Sequence, residues 1–191
     1  MSLKIHPKII IIGPCRTGKT NIANLIAGTS EHPSESYEKT VGVRIQEVIT
    51  QTTVSAPGLG NKVYVEVWDV SGDRAFEGGW KAIQQDTDAI IFVYNAEDRS
   101  QEREMEWWYR SFAMPLSMKD SNCLVFAQHL HPFDPPMGPP TPGKAFQRIP
   151  SFHTSIEQTP DLIKSEFEKL CQNAIINALD RKEREEKRLL G

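Results

Sequence analysis

The chain is 191 residues long, the length of a single domain with one core. Its 22 Lys and Arg against 25 Asp and Glu leave a net charge of −3, and so balanced a surface excludes a dedicated nucleic-acid binder, which carries a basic excess. No apolar run reaches the length that crosses a bilayer and the N-terminus has no signal-peptide apolar region; Cys15, Cys123 and Cys171 suit neither a disulfide framework nor a metal-ligand spacing, which points to a reducing compartment such as the cytosol.

Lys8 to Ile12 is a short, β-branched run, the pattern of a central parallel strand buried on both faces. A helical pattern follows from Lys19 to Ala27 and stops at Gly28. Residues 29–40 are polar, carry Pro33 and show no period, so they form a loop. Val43 to Thr53 and Lys62 to Trp68 read as two strands joined through the turn formers of 55–61, a hairpin. Ala89 to Tyr94 and Cys123 to Ala127 are further buried strands, with a helix at Arg99 to Phe112 between them. From His129 to Gly143 the prolines 132, 135, 136, 139, 140 and 142 exclude a regular helix. Lys144 to His153 completes the strands. Thr159 and Pro160 then open a helix with Leu162, Ile163, Phe167, Leu170, Ala174, Ile175 and Ala178 on one face. Its end, Asp180 to Arg188, is almost wholly charged and reads as a solvated helix end, with a docking segment as the other reading. Strands alternating with helices predict an α/β fold: a mostly parallel sheet of six strands with helices on both faces, one helix being replaced by the proline-rich loop. A single domain is expected, its core at 8–180, with 181–191 as a charged tail.

Gly13-Pro14-Cys15-Arg16-Thr17-Gly18-Lys19-Thr20 fits G-x-x-x-x-G-K-[ST], between a buried strand and a helix as that motif requires. The glycines permit a tight backbone wrap, and consecutive N–H groups at a helix N-terminus point at anionic oxygens. Lys19 reaches the β- and γ-phosphates, and the Thr20 hydroxyl ligates Mg²⁺.

Two more segments narrow the class. Tyr37-Glu-Lys-Thr-Val-Gly-Val43 and Val67-Trp-Asp-Val-Ser-Gly-Asp-Arg-Ala-Phe76 resemble the two switches of a Rab-type small GTPase, in the right order and spacing, and the resemblance covers about residues 8–180. It implies a Ras-like P-loop domain that binds GTP or GDP with Mg²⁺. Thr40 would close on the metal and the γ-phosphate, Asp69 would hold a metal-bound water, and the Gly72 N–H would sense the γ-phosphate. Nucleotide contacts are implied for residues 13–20, Asn21, Thr40, Gln128, His129, Thr154, Ser155 and Ile156.

The departures matter as much. Asp73 stands where most Rab and Ras proteins have the glutamine that orients the attacking water. A carboxylate there repels the γ-phosphate and reaches less far, so slow intrinsic hydrolysis is expected. Gln128-His-Leu-His131 replaces N-K-x-D and lacks the carboxylate that accepts the guanine protons. His153-Thr-Ser-Ile-Glu157 keeps only Thr154 and Ser155 of the E-T-S-A-K loop, where backbone N–H groups would meet the guanine O6. The C-terminus has no prenylation cysteine and residue 2 is serine, so no direct membrane anchor is expected.

The acidic residue at position 73, the Trp108-Tyr109 pair, the segments Glu102–Tyr109 and Phe76–Trp80, and the degraded guanine motif resemble one group of Rab-like proteins, the small GTPase subunit of the intraflagellar transport complex B. That resemblance implies a cilium or flagellum protein, monomeric alone and held by the coiled-coil subunits of that complex through its switches. Phe76 and Trp80 would be exposed aromatic anchors there. A true GTP hydrolase cycling with an activating protein is the second reading. A phosphoryl-transfer kinase is the third, and the absence of arginine from the 129–143 loop opposes it.

Overall fold

A computed structural model describes residues 3–33, 36–134 and 138–190. Its strands are β1 Lys8–Ile12, β2 Val43–Gln51, β3 Lys62–Val70, β4 Ala89–Asn95, β5 Cys123–Gln128 and β6 Ser151–Thr154. Its α-helices are α1 Lys19–Ile26, α2 Trp80–Gln84, α3 Arg99–Phe112 and α4 Pro160–Leu190. The sheet runs β2-β3-β1-β4-β5-β6. Among the described residues only the β2–β3 hairpin pairs antiparallel; β1 lies parallel to β3 and β4, and β5 parallel to β4 and β6.

β1 explains the layering. Its side chains alternate between the two faces of the sheet. Ile9 and Ile11 join the layer under α1 and α4, with Ile22, Leu25, Ile163 and Phe167. Ile10 and Ile12 join the layer under α2 and α3, with Ile83, Met105, Trp108 and Phe112. The centre of a strand buried on both faces favours apolar residues, which is why the run Ile9–Ile12 is unbroken, while Lys8 at its start is buried with its ammonium donating to the Gln85 carbonyl at 2.9 Å. The parallel strands of the sheet centre all end at one edge, and the loops of the candidate site gather there.

Two expectations are corrected. Lys144–Phe146 form a 3-10 turn, and the last strand covers only Ser151–Thr154. Phe146 and Ile149, three apart, are buried on one side as a turn requires and a strand does not. Arg74–Gly79 form a 3-10 segment that leads into α2, which has no apolar period of its own beyond Trp80 and Ile83. Trp80 is 4% exposed, packed against Trp107, Trp108 and Phe112 at ring separations of 4.9–5.4 Å, so it is a core residue and no surface anchor. Between β5 and β6 the 144–146 turn is the one helical segment among the described residues; Pro135 and Pro136 lie outside them.

Candidate functional site

The loop from β1 to α1 curls back on itself. Gly13 has φ 143° and Gly18 φ 85°, and a Cβ on Gly13 would lie 1.9 Å from the Val93 carbonyl oxygen. Only glycine fits there. Inside the curl, the buried Lys19 ammonium donates to the Gly13 carbonyl at 2.9 Å and to the Pro14 carbonyl at 2.5 Å. Burial pulls its pKa down to about 8, with the Asp69 carboxylate opposing. The cation is therefore held at the floor of the loop by the loop's own carbonyls.

Beside it, three oxygen-bearing side chains from separate elements converge. The Thr20 hydroxyl, on α1, donates to Asp69 Oδ2 at 2.7 Å. The Thr40 hydroxyl, from the loop before β2, lies 3.0 Å from Thr20 Oγ1 and 3.3 Å from Asp69 Oδ2. Asp69, near the end of β3, is 0% exposed, and its Oδ1 has no partner among the described residues. Burial pushes its carboxyl pKa up, while the Thr20 hydrogen bond and the Lys19 charge pull it back. A buried carboxylate oxygen left without a donor is costly. Two hydroxyls and a carboxylate with a spare oxygen suit a hard divalent cation or its bound water, so the residues present fit Mg²⁺.

Gly72 lies against the same loop: a Cβ there would meet Cys15 N and Pro14 C at 2.5 Å. Asp73 follows. It accepts from the Ala75 N–H at 2.9 Å, capping the 3-10 segment, and forms an ion pair with Lys39. That hydrogen bond, with the Ala75 N–H behind it, holds the Asp73 carboxyl below the usual range, so it is ionised and a weak base. Cys15 to Asn21, Asn24, Tyr37, Glu38, Thr40, Ser71, Gly72 and Leu130 line a cavity of about 350 Å³.

At the β5 and β6 ends, polar groups are turned toward one another. Thr154 Oγ1 donates to Gln128 Oε1 at 2.9 Å, and Gln128 Nε2 donates to the His129 carbonyl at 3.1 Å. His129 Nε2 lies 3.0 Å from His153 Nδ1, and its ring stacks on Phe133 with centroids 3.7 Å apart. The Ser155 N–H donates to Thr159 Oγ1 at 2.8 Å, and Ile156 is in the core. Thus Gln128, His129, Thr154, Ser155 and Ile156 do come together, and among the described residues of that end Leu130 alone reaches the cavity wall.

Other contributors escaped the sequence. Glu97 accepts from the His131 N–H at 3.2 Å and lies 2.7 Å from its Nδ1, while Gln101 Nε2 donates to the Cys15 carbonyl at 3.1 Å. These partners are 34 and 86 residues apart, and no local pattern marks them.

The Roc domain profile (Ras of Complex, Roc, domain of DAPkinase) matches residues 8–130. Over 182 residues the chain is 31% identical to the intraflagellar transport protein 22 homolog of Homo sapiens, covering 95% of this chain and 97% of the relative. The chain belongs to the intraflagellar transport protein 22 family. It is 33% identical to the Trypanosoma brucei member over 193 residues, covering 90% of this chain and 87% of that one. The GTP-bound crystal structure of T. brucei IFT22/74/81 superposes with a TM-score of 0.70 at 29% identity, covering 91% of this chain and 97% of that chain. The GDP-bound T. brucei IFT22 structure gives 0.63 at 30% identity, covering 88% and 96%. Family membership makes this a Ras-like small GTPase of intraflagellar transport, with the sheet and helices that the sequence predicts.

Proposed function

We propose that this chain binds GTP and GDP with Mg²⁺ as a nucleotide-gated docking subunit of the intraflagellar transport machinery, and hydrolyses GTP slowly on its own. The convergence of the Thr20 and Thr40 hydroxyls on Asp69 Oδ2, with Asp69 Oδ1 left without a partner among the described residues, carries this reading. In it the loop N–H groups of residues 13–20 wrap the phosphates. Lys19 exchanges its own-loop carbonyls for the β- and γ-oxygens. Thr20 and Thr40 hold the metal, and Asp69 acts through water. Bound there, Mg²⁺ would neutralise phosphate charge. The Gly72 N–H, pressed on the loop, senses the γ-phosphate. Guanine is held near Gln128, His129, Thr154, Ser155 and Ile156, and more loosely than the phosphates, because the polar groups there are already paired.

Slow hydrolysis follows from Asp73. Its carboxylate is divided between Lys39 and Ala75 and carries a low pKa, so it neither orients a water as an amide does nor takes a proton readily. Asp73→Gln is expected to raise the turnover measured over hours or leave it unchanged. Loss of a measurable wild-type turnover in that variant would make Asp73 a general base and overturn the slow-hydrolysis reading.

For the partner, the reading commits to the coiled-coil subunits of complex B, the counterparts of T. brucei IFT74/81. The chain acts as a single domain, monomeric alone, and works in the cytoplasm and the cilium or flagellum. With Trp80 in the core, the apolar surface beside the switches is Tyr37, Val41, Ile45, Ile49 and Tyr64, all about half exposed or more. Ile45 and Ile49 lie on β2, and Ile49 is opposite Tyr64 on β3, so their side chains share a face. Ile45→Asp is expected to lose capture by the purified partner while GTP still binds in a calorimetric titration. Normal capture by Ile45→Asp, together with loss on truncation after Asp180, would move the interface to the charged end of α4.

A further inference from the structure

The segment from Tyr37 to Gly42 is tied down at four places. The Arg16 guanidinium lies 4.9 Å from the Tyr37 ring centroid. Lys39 forms its ion pair with Asp73. Thr40 meets Thr20 and Asp69. The Gly42 carbonyl accepts from the Ser71 N–H at 2.8 Å. Two of these ties, Lys39 to Asp73 and Gly42 to Ser71, run directly between the two switches and involve neither nucleotide nor metal donors.

The two carboxylate oxygens of Asp73 have separate tasks. Oδ1 accepts from the Ala75 N–H and so fixes the start of the 74–79 segment. Oδ2 takes Lys39. A glutamine at this position could not make that ion pair. Lys39 is also the immediate neighbour of Thr40, so whatever holds Lys39 limits how far the Thr40 hydroxyl can move from Thr20 and Asp69. We propose that Lys39 is a positioning residue: with Asp73 it forms a clasp that keeps the first switch closed over the metal donors and slows release of bound nucleotide. The release part rests on the nucleotide reading above; the clasp itself does not. The acid at position 73 then has a use of its own, as the anchor of a closed loop rather than a damaged catalytic residue.

The pair is partly exposed, so it contributes modestly and is screened by salt. The test is a double-mutant cycle with Lys39→Met, which keeps the aliphatic stem, and Asp73→Asn, which keeps an oxygen for the Ala75 N–H. Both singles, the double and the swapped Lys39→Asp/Asp73→Lys protein are compared with wild type. Two quantities are read: amide hydrogen exchange over residues 36–43 in nucleotide-free protein, and dissociation of a fluorescent GTP analogue in Mg²⁺.

Each single change is expected to speed both by about two- to five-fold. The double should be no faster than the faster single, the swap should recover part of the loss, and half-molar salt should shrink the differences. Additive effects, or exchange and release that ignore Lys39→Met, overturn the clasp while leaving the nucleotide reading intact. If wild type binds no guanine nucleotide, that reading and the release claim fall together. Exchange over 36–43 then decides the clasp by itself.

Discussion

The two ends of the cavity are built on different principles. At the proposed phosphate end, a curled backbone loop holds the Lys19 ammonium at its floor, and the buried Asp69 carboxylate keeps one oxygen without a donor among the described residues. At the base end, Gln128 and Thr154 satisfy each other, His129 and His153 face each other, and the Ser155 N–H is taken by Thr159. One end is incomplete without a ligand; the other is nearly complete without one. An unsatisfied site gains most from binding, because the penalty for its orphaned groups has been met in folding. The phosphates and metal should therefore dominate affinity, with the base adding a smaller preference.

The largest effect expected from this contrast is at Lys19. Lys19→Ala removes the one ammonium at the loop floor, and charge-assisted hydrogen bonds contribute roughly 1.5–3 kcal/mol each. Loss of two to the phosphates should weaken GTP binding by about 100-fold or more. Thr20→Asn should act in the same direction through the metal. Calorimetric titration measures both, and unchanged affinity in either would remove the phosphate end from the argument.

Next in size is Gly72→Ala. The added methyl would sit 2.5 Å from Cys15 N and Pro14 C, both backbone, so the second switch or the phosphate loop must shift. Overpacking of this kind costs about 1–3 kcal/mol, which in a domain of this length lowers the melting temperature by roughly 2–12 °C. GTP should lose more affinity than GDP, since only GTP offers an oxygen to the displaced N–H. Equal losses for the two nucleotides would show that position 72 serves packing alone.

The same contrast explains what the sequence could and could not disclose. Strands β1, β4 and β5 were legible because burial on both faces forces unbroken apolar runs, and the phosphate loop because its geometry demands glycine at fixed spacing. Asp69, Thr40 and Gly72 were legible only jointly, through order and spacing along the chain. The paired groups were not legible. Nothing local links Lys39 to Asp73, Glu97 to His131 or Gln128 to Thr154, since each pairing exists only once the sheet has brought distant loops together. Trp80 misled for a related reason. Its place beside a switch suggested exposure, but α2 turns it into the tryptophan cluster of α3. The 144–153 segment misled because apolar residues three apart were read as a strand when they mark a turn.

The base end supplies a smaller prediction. With the family's carboxylate missing and its backbone donor engaged, discrimination should rest on a few neutral hydrogen bonds, each about 1 kcal/mol. GTP is expected to outcompete ATP by roughly ten-fold. Equal binding of the two in competition would defeat guanine recognition. A preference of several thousand-fold would show that the base end rearranges on binding and frees the paired groups.

The smallest effect separates the two ends by pH. His129 Nε2 lies 3.0 Å from His153 Nδ1, so one ring nitrogen must accept, and the arrangement requires at least one neutral imidazole. Burial lowers the pKa of each below 6.5; their mutual repulsion lowers His153 further, and Glu97 partly opposes the shift of His129. The sign follows from proton counts. With folded-state values below the unfolded ones, the unfolded chain binds more protons between them, so stability rises with pH across that window. The contribution is complete above the unfolded value of 6.5 and is lost as pH falls through the folded values. Both histidines are only half-buried and keep some contact with solvent, so the change is small, about 2 °C or less in melting temperature between pH 7 and pH 5. His153→Gln removes one titrating ring and should flatten that part of the profile. The readout is the difference between the two proteins across this range, since carboxylates titrate in both alike. A difference that stays constant from pH 7 to pH 5 would mean that the two histidines do not titrate against each other, and the base end would lose its self-paired character at this contact.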